Sequence, residues 1–311
     1  MNAPREWRDL QWLLCSPPLL SNTELLAQDI RRPETDLTPN REVQAWLADL
    51  RAAPQPLLDF IAQHRSAVKH LRLGRYAERL LEFYLRCGPA HRLAAANMAL
   101  RHAPGAAAND HTTLGEIDFL LHDAQGVPWH WELAVKYFLC HASDPVAQPE
   151  DFIGPDAAET LRSKLSKLER QLSHTPSAPW DATPWQRAAF SRGWMFYRWG
   201  ADVPYCKALH PQHLRGWWLP LHELAALPHT RYALVGRAAW MSAFDPAQDT
   251  ALALGDAAQL REHLERFWAA PAAPGRTAAG AQMVVGLNEA GGGLLEAARY
   301  FVTPPGSVQD A

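Results

Sequence analysis

Three acidic residues and a lysine lie in two adjacent segments of the chain, two or four positions apart within each segment. Glu116 and Asp118 lie in the first segment, and Glu132 and Lys136 lie in the second. Strand side chains alternate between two faces, so these residues share a face if both segments are strands. Two neighbouring carboxylates repel unless a cation lies between them or one is protonated. Because Mg²⁺ binds one or two carboxylates and keeps several waters, the pattern indicates either a Mg²⁺ or Mn²⁺ site or a solvated strand face.

The elements that must position these side chains are the strands of a predicted β-hairpin, Gly115–Leu139. Apolar residues alternate in the first half, and aromatic and β-branched residues dominate the second, as is typical of strands. Asp123–Gly126 is a turn cluster. If the turn centres near Gln125, Asp118 lies opposite Glu132, with Cβ atoms about 5 Å apart. The hairpin therefore predicts that two carboxyl groups face each other.

The hairpin sequence GEIDFLL…WHWELAVK resembles the core of the PD-(D/E)XK nuclease superfamily. In that superfamily an acid on one strand and an acid-x-lysine on the next bind Mg²⁺ and orient a water at a phosphodiester. Asp118 matches the first acid and Glu132 the second. The lysine position is occupied by Ala134, and the lysine on that face is Lys136, one pleat further on. The resemblance implies that Asp118 and Glu132 bind metal and that Lys136 stabilises phosphate charge or orients the water.

Other segments extend this resemblance over most of the chain. They are RDLQWLLCSPPLL, LGRYAERLLEFYL, FIGPDAAETLRSKLSKLERQL and HLRGWWL, which are similar to an uncharacterised bacterial family assigned to the same superfamily. The superfamily often supplies a further acid from the helix before the hairpin. Glu78, at the border of the apolar stripe of the predicted helix Arg75–Arg86, is the candidate, with Glu116 as a second assisting acid and metal ligand. Glu82 is expected to be a surface acid paired with a nearby arginine.

A basic stripe is predicted on the amphipathic helix Asp156–Leu172. Lys164, Lys167 and Gln171 lie beside its buried leucine stripe. Such a stripe is either a solvated face or a contact surface for phosphates, in which case Gln171 would hold a water or the scissile phosphate. Both interpretations stay open at this point.

Composition sets the frame for these candidates. The chain has 311 residues, a formal net charge of −3 and four widely spaced cysteines, so neither a disulfide framework nor a zinc site is indicated. Nucleic acid could bind only through a local basic patch, because the overall charge is not positive. The first ten residues do not resemble a signal peptide, and no apolar run approaches the roughly 20 residues of a membrane span. We expect a cytoplasmic protein that does not enter the membrane.

These observations predict an α/β fold with a PD-(D/E)XK-like mixed central sheet flanked by helices. The expected segments are a helical N-terminal layer over residues 1–70, the nuclease-like core over 71–187, and a strand-rich α/β extension over 188–311. The expected function is Mg²⁺- or Mn²⁺-dependent cleavage of phosphodiester bonds in nucleic acid. The alternatives are a catalytically inactive module that binds nucleic acid or a protein partner, and an enzyme acting on another phosphorylated ligand.

Overall fold

Strands in a mixed sheet and helices that flank it confirm the predicted α/β class. The structure is a computed structural model. It describes residues 3–21, 30–31, 41–65, 72–100, 115–176, 178–270 and 280–306. Residues 103–110, whose small side chains are typical of a loop, lie outside the described residues, as does most of the Ala/Pro/Gly-rich stretch 269–280.

Six α-helices occur in the described residues. They are α1 (Arg5–Cys15), α2 (Arg41–Ala52), α3 (Gln55–Arg65), α4 (Leu73–Cys87), α5 (Leu161–Leu172) and α6 (Ala257–Ala269). The apolar stripe predicted for α4 is buried. Its residues recur at helical spacing and are Ala77, Leu80, Leu81, Tyr84 and Leu85. Among the described helices, none is long and apolar enough to cross a membrane.

Eleven strands occur in the described residues. They are β1 (Ile30–Arg31), β2 (His91–Leu100), β3 (Gly115–Asp123), β4 (Pro128–Cys140), β5 (Phe152–Ile153), β6 (Gln186–Arg198), β7 (Leu214–Pro220), β8 (Arg231–Leu234), β9 (Ala253–Gly255), β10 (Gln282–Ala290) and β11 (Gly293–Thr303). The predicted hairpin is confirmed as β3 and β4. The strand-like run at residues 231–240 would favour a longer strand, but β8 ends at Leu234.

The chain divides into two compact units. The first contains Met1–Val135, Lys164–Arg192 and His210–Gln212, and the second contains Lys136–Ser163, Gly193–Leu209 and His213–Ala311. The chain returns to each unit more than once. The three sequential segments given above stay a prediction.

In the first unit, β3 pairs with β2 and β4, in both cases antiparallel. The turn between β3 and β4 is held by Asp123, whose Oδ1 accepts the amides of Gln125 and Val127 at 2.9 and 2.8 Å. Because this turn fixes the register, Phe119 pairs with Trp131. The positions that follow along the ladder are Asp118 and Glu132, as the sequence predicts.

In the second unit, the strand order is β6-β7-β11-β10-β8-β9. β6, β7 and β11 are parallel neighbours, whereas β11, β10, β8 and β9 are antiparallel. The core beneath α6 contains Tyr232, Leu264 and Val284, all fully buried. Arg299 is also fully buried, and it pairs with Glu296.

The helix predicted over 156–172 begins later, at Leu161. Before it the chain forms a turn in which the amide of Gly154 donates to the carbonyl of Glu159 at 2.8 Å. Ala157 has a φ of 56°, which is incompatible with a helix. The Thr160 hydroxyl then accepts the amide of Ser163 at 3.2 Å and caps the first turn. The helix predicted from hydrophobic periodicity is too long, because the residues of the preceding turn continue the apolar spacing of the helix.

Candidate active site

The carboxyl groups of Asp118 and Glu132 meet inside the first unit. Glu132 is fully buried and Asp118 is 7% exposed. The amide of Asp118 donates to Glu132 Oε1 at 3.2 Å, and the amide of Leu133 donates to Asp118 Oδ2 at 2.9 Å. These reciprocal bonds lock each side chain to the neighbouring strand. The predicted juxtaposition of the two acids is therefore present.

The protonation of this pair is displaced from that of ordinary carboxyl groups. Burial, and then the charge of Glu132, raise the pKa of Asp118 to about 7. Burial also raises the pKa of Glu132 to about 7, although hydrogen bonds from Asp118 oppose the shift. Two adjacent carboxyl groups that are both buried favour one shared proton or a bound cation.

Two further side chains hold Glu132. His130, two residues earlier on the same face of β4, places Nε2 at 2.9 Å from Glu132 Oε1. Gln171 of α5 donates its Nε2 to Glu132 Oε2 at 2.7 Å. Burial lowers the pKa of His130 to about 4, so the imidazole is neutral near pH 7 and the contact is a hydrogen bond. The sequence predicted Gln171 as a ligand of water or phosphate, whereas its amide nitrogen contacts Glu132.

The lysine beside the acid pair comes from α5. Lys164 is 9% exposed. Burial dominates the pKa of both Asp118 and Glu132, and the Lys164 charge opposes it by lowering both values. Lys167, in the next turn, is exposed. The stripe predicted as a unit is therefore divided between a buried lysine near the carboxyl groups and a solvated one.

Lys136, predicted to replace the lysine missing at position 134, has another partner. It belongs to the second unit, where its ammonium pairs with Glu159, and both side chains are about one-third exposed. The role that the resemblance implies for Lys136 stays a prediction. Ala134 is buried. Glu159 lies in the turn before α5, and the prediction places that turn inside the helix.

Glu78 and Glu116 take different positions around the pair. Burial, and then the charge of Asp118, raise the pKa of Glu78 to about 7. The assisting role of Glu78 stays a prediction. Glu116 was predicted as a metal ligand, but Arg75 donates to both of its carboxylate oxygens at 3.0 and 2.6 Å. Arg75 also donates to Glu78 at 2.7 Å. A bidentate arginine satisfies Glu116, so it is the weakest of the predicted ligands.

Glu82 lies on α4, one turn after Glu78. Its predicted arginine partners are confirmed, since it pairs with Arg79 and accepts from Arg86 at 2.8 Å. Its predicted surface position is wrong, because only 3% of the residue is exposed. The two arginines cover the carboxylate, and this is what permits its burial.

The donor set around Asp118 and Glu132 suits a hard cation. In the described part of the chain, no group of three or more His, Cys, Asp or Glu residues is arranged to hold a metal ion. Mg²⁺ needs fewer protein ligands, since two carboxylates and several waters suffice. Gln171 Oε1 is buried and has no hydrogen-bond partner among the described residues, so an oxygen acceptor is available beside Glu132. The residues therefore fit Mg²⁺ or Mn²⁺.

His130 is the site residue that sequence reasoning missed. Its signal was present, because a residue two before Glu132 shares its strand face. A single histidine on such a face is usually part of the core, and nothing in the sequence identified a carboxylate as its partner.

Fold and site together define a mixed α/β protein with a buried pair of carboxyl groups on a β-hairpin. The family model described as "Domain of unknown function (DUF1853)" matches residues 8–303, so the chain belongs to that family. No curated protein and no solved structure shows significant similarity to the chain.

Proposed function

We propose that this protein is a Mg²⁺- or Mn²⁺-dependent phosphodiesterase that acts on nucleic acid, with a PD-(D/E)XK-like core in its first unit. The observation that carries the proposal is the meeting of Asp118 and Glu132 in a buried position with a lysine beside them. Strongly perturbed carboxyl groups next to a specific charged partner are typical of functional sites.

The residues divide the chemistry between them. Asp118 and Glu132 would hold the cation, and Glu78 would assist from α4. A bound divalent cation neutralises phosphate charge and lowers the pKa of a water at such sites. Lys164, whose charge lowers the pKa of both Asp118 and Glu132, would stabilise the negative charge that develops on the phosphate. This assigns to Lys164 the role that the sequence assigned to Lys136.

Contacts with the nucleic-acid backbone would come from the exposed face of α5. Lys167 and Arg170 are exposed there, on the helix that carries Lys164 and Gln171. Lysine contacts with phosphates release counterions, so binding weakens as salt rises. We expect Lys167→Ala to lower the log–log salt slope of binding by roughly one unit, as one lost phosphate contact does. An unchanged slope would return Lys167 to a solvated face.

One observation favours the inactive alternative. Both oxygens of Glu132 already accept hydrogen bonds from protein groups. A carboxylate satisfied in this way can be purely structural, and the protein would then bind nucleic acid without cleaving it.

Cleavage assays with matched lysine variants test the proposal. Plasmid DNA, single-stranded DNA and RNA would be incubated with Mg²⁺ or Mn²⁺, or with EDTA, and resolved by electrophoresis. The wild type should cleave at least one substrate only with metal. Lys164→Met should lose about 10²–10³-fold in rate, the usual cost of removing one charge-stabilising group. Lys136→Met removes the same charge from the second unit and should retain activity.

The outcomes separate the alternatives. Equal loss in both lysine variants would refute the assignment to Lys164, provided that circular dichroism shows both folded. Loss of cleavage in Lys136→Met alone would assign the stabilisation of phosphate charge to Lys136 of β4. Binding of nucleic acid without cleavage under any metal condition would replace the enzyme by the inactive module.

A further inference from the structure

His130 has a more specific relation to Glu132 than packing requires. It is one of the fully buried polar residues of the first unit, with 1% exposed. Its Nε2 lies 2.9 Å from Glu132 Oε1, the oxygen that also accepts the Asp118 amide at 3.2 Å. Gln171 holds the other oxygen at 2.7 Å. Both oxygens are thus directed by donors from β3, β4 and α5, which leaves the carboxylate little freedom to rotate.

Glu132 and Glu116 are held by different kinds of hydrogen-bond donor. Glu132 accepts from a backbone amide and from the Gln171 carboxamide, and the His130 imidazole lies against one of its oxygens. Glu116, by contrast, is clamped at both oxygens by the Arg75 guanidinium. Side chains that hydrogen-bond to a metal ligand orient it and tune its affinity for the metal. His130 and Gln171 stand in that relation to Glu132.

We propose that His130 is a positioning residue that fixes the Glu132 carboxylate for divalent-cation binding, an inference that rests on the proposed function. The imidazole does not touch the cation or the substrate. It acts by restraining one oxygen of Glu132, so that fewer rotamers are lost when the cation binds.

Calorimetric titration of the 311-residue chain with Mn²⁺ tests this role. His130→Leu removes the donor and should weaken Mn²⁺ binding about 10–100-fold, as loss of an outer-shell partner does. His130→Gln places an amide nitrogen close to the position of Nε2 and should recover most of the affinity. His91→Phe is the matched control, because His91 is another histidine of the first unit, packed between Tyr84 and Trp131. Its replacement should leave Mn²⁺ binding unchanged.

Each result decides the inference. Unchanged binding in His130→Leu, or an equal loss in His91→Phe, would overturn it, since the first shows no role and the second shows general packing damage. If His130→Leu does not fold, the pair His130→Gln and His130→Asn decides, because the shorter asparagine amide does not reach Glu132. Equal affinities in that pair would refute the positioning role. If the wild type cleaves nucleic acid but replacing His130 does not change the Mn²⁺ affinity, only this inference is refuted. If the wild type binds no Mn²⁺, both proposals are refuted.

Discussion

Replacing Asp118 with asparagine should stabilise the protein at neutral and alkaline pH. Burial and the Glu132 charge raise the pKa of Asp118 from 3.8 to about 7. The folded protein therefore keeps a proton that the unfolded chain releases above about pH 4. Stability from this group is fully present below the unfolded pKa and is lost as pH rises through the folded pKa. At about 1.4 kcal/mol per pKa unit, the loss has an upper limit of about 4 kcal/mol.

Asparagine reproduces the protonated form of Asp118 without its titration. Its Oδ1 can accept the Leu133 amide, and its Nδ2 can donate to Glu132 as a protonated carboxyl does. Burial raises the pKa of Glu132 as well, and the two carboxyl groups are hydrogen-bonded to each other, so they titrate as a pair and the two shifts are not summed. We expect the unfolding free energy of Asp118→Asn, relative to wild type, to increase by about 2–4 kcal/mol between pH 4.5 and pH 8.

Urea unfolding followed by tryptophan fluorescence, in EDTA across this pH range, measures the difference. Asp123→Asn is the control within the same hairpin. Burial raises the pKa of Asp123, but hydrogen bonds from Trp129, Val127 and Gln125 outweigh it and the net shift is downward. The cost of that substitution should therefore appear above pH 4 and vanish at lower pH, with the opposite sign. A stability difference for Asp118→Asn that does not vary with pH would refute the reasoning.

Three further expectations concern metal, charge and packing. Excess Mn²⁺ should raise the melting temperature of the wild type by mass action but not that of Asp118→Asn, as differential scanning fluorimetry would show. Arg299→Met should cost about 3–5 kcal/mol in urea unfolding because it leaves a buried partner charge, whereas Arg237→Ala, which breaks an exposed pair, should cost less than about 1 kcal/mol. Gly193→Ala would place a Cβ at 1.7 Å from a backbone oxygen of β4 and should prevent folding of the second unit, whereas Gly74→Ala meets nothing within 4 Å and should gain about 0.5–1 kcal/mol by thermal melts.

Local signals explain what the sequence could predict. The position of the β3–β4 turn depends on Asp123 and Gly126, and residues within a few positions supply its hydrogen bonds. Once the turn is placed, strand alternation determines which residues face each other, so the meeting of Asp118 and Glu132 followed without knowledge of the rest of the chain. The α4 stripe is equally local. These features need only chain geometry and the period of side chains.

The partners of charged side chains depend on tertiary packing and were not predictable in the same way. Lys136 pairs with Glu159 because the turn before α5 presents that carboxylate. That turn depends on an Ala157 in a left-handed conformation, which sequence periodicity does not indicate. Lys164 was assigned to phosphate binding because helical spacing shows which stripe a residue occupies but not what faces it. His130 was missed for the same reason.

The stability expected of Asp118→Asn also separates the two functions considered for this site. If the pair were structural, the asparagine variant would be more stable above pH 7 and would bind nucleic acid as well as the wild type does. If the pair holds a catalytic cation, the same variant would be more stable and yet lose both Mn²⁺ binding and cleavage. Gain of stability together with loss of function is expected where a fold holds charges that its own packing disfavours. The combination in a single variant, with Asp123→Asn showing neither effect at pH 8, would assign the buried pair to chemistry rather than to folding.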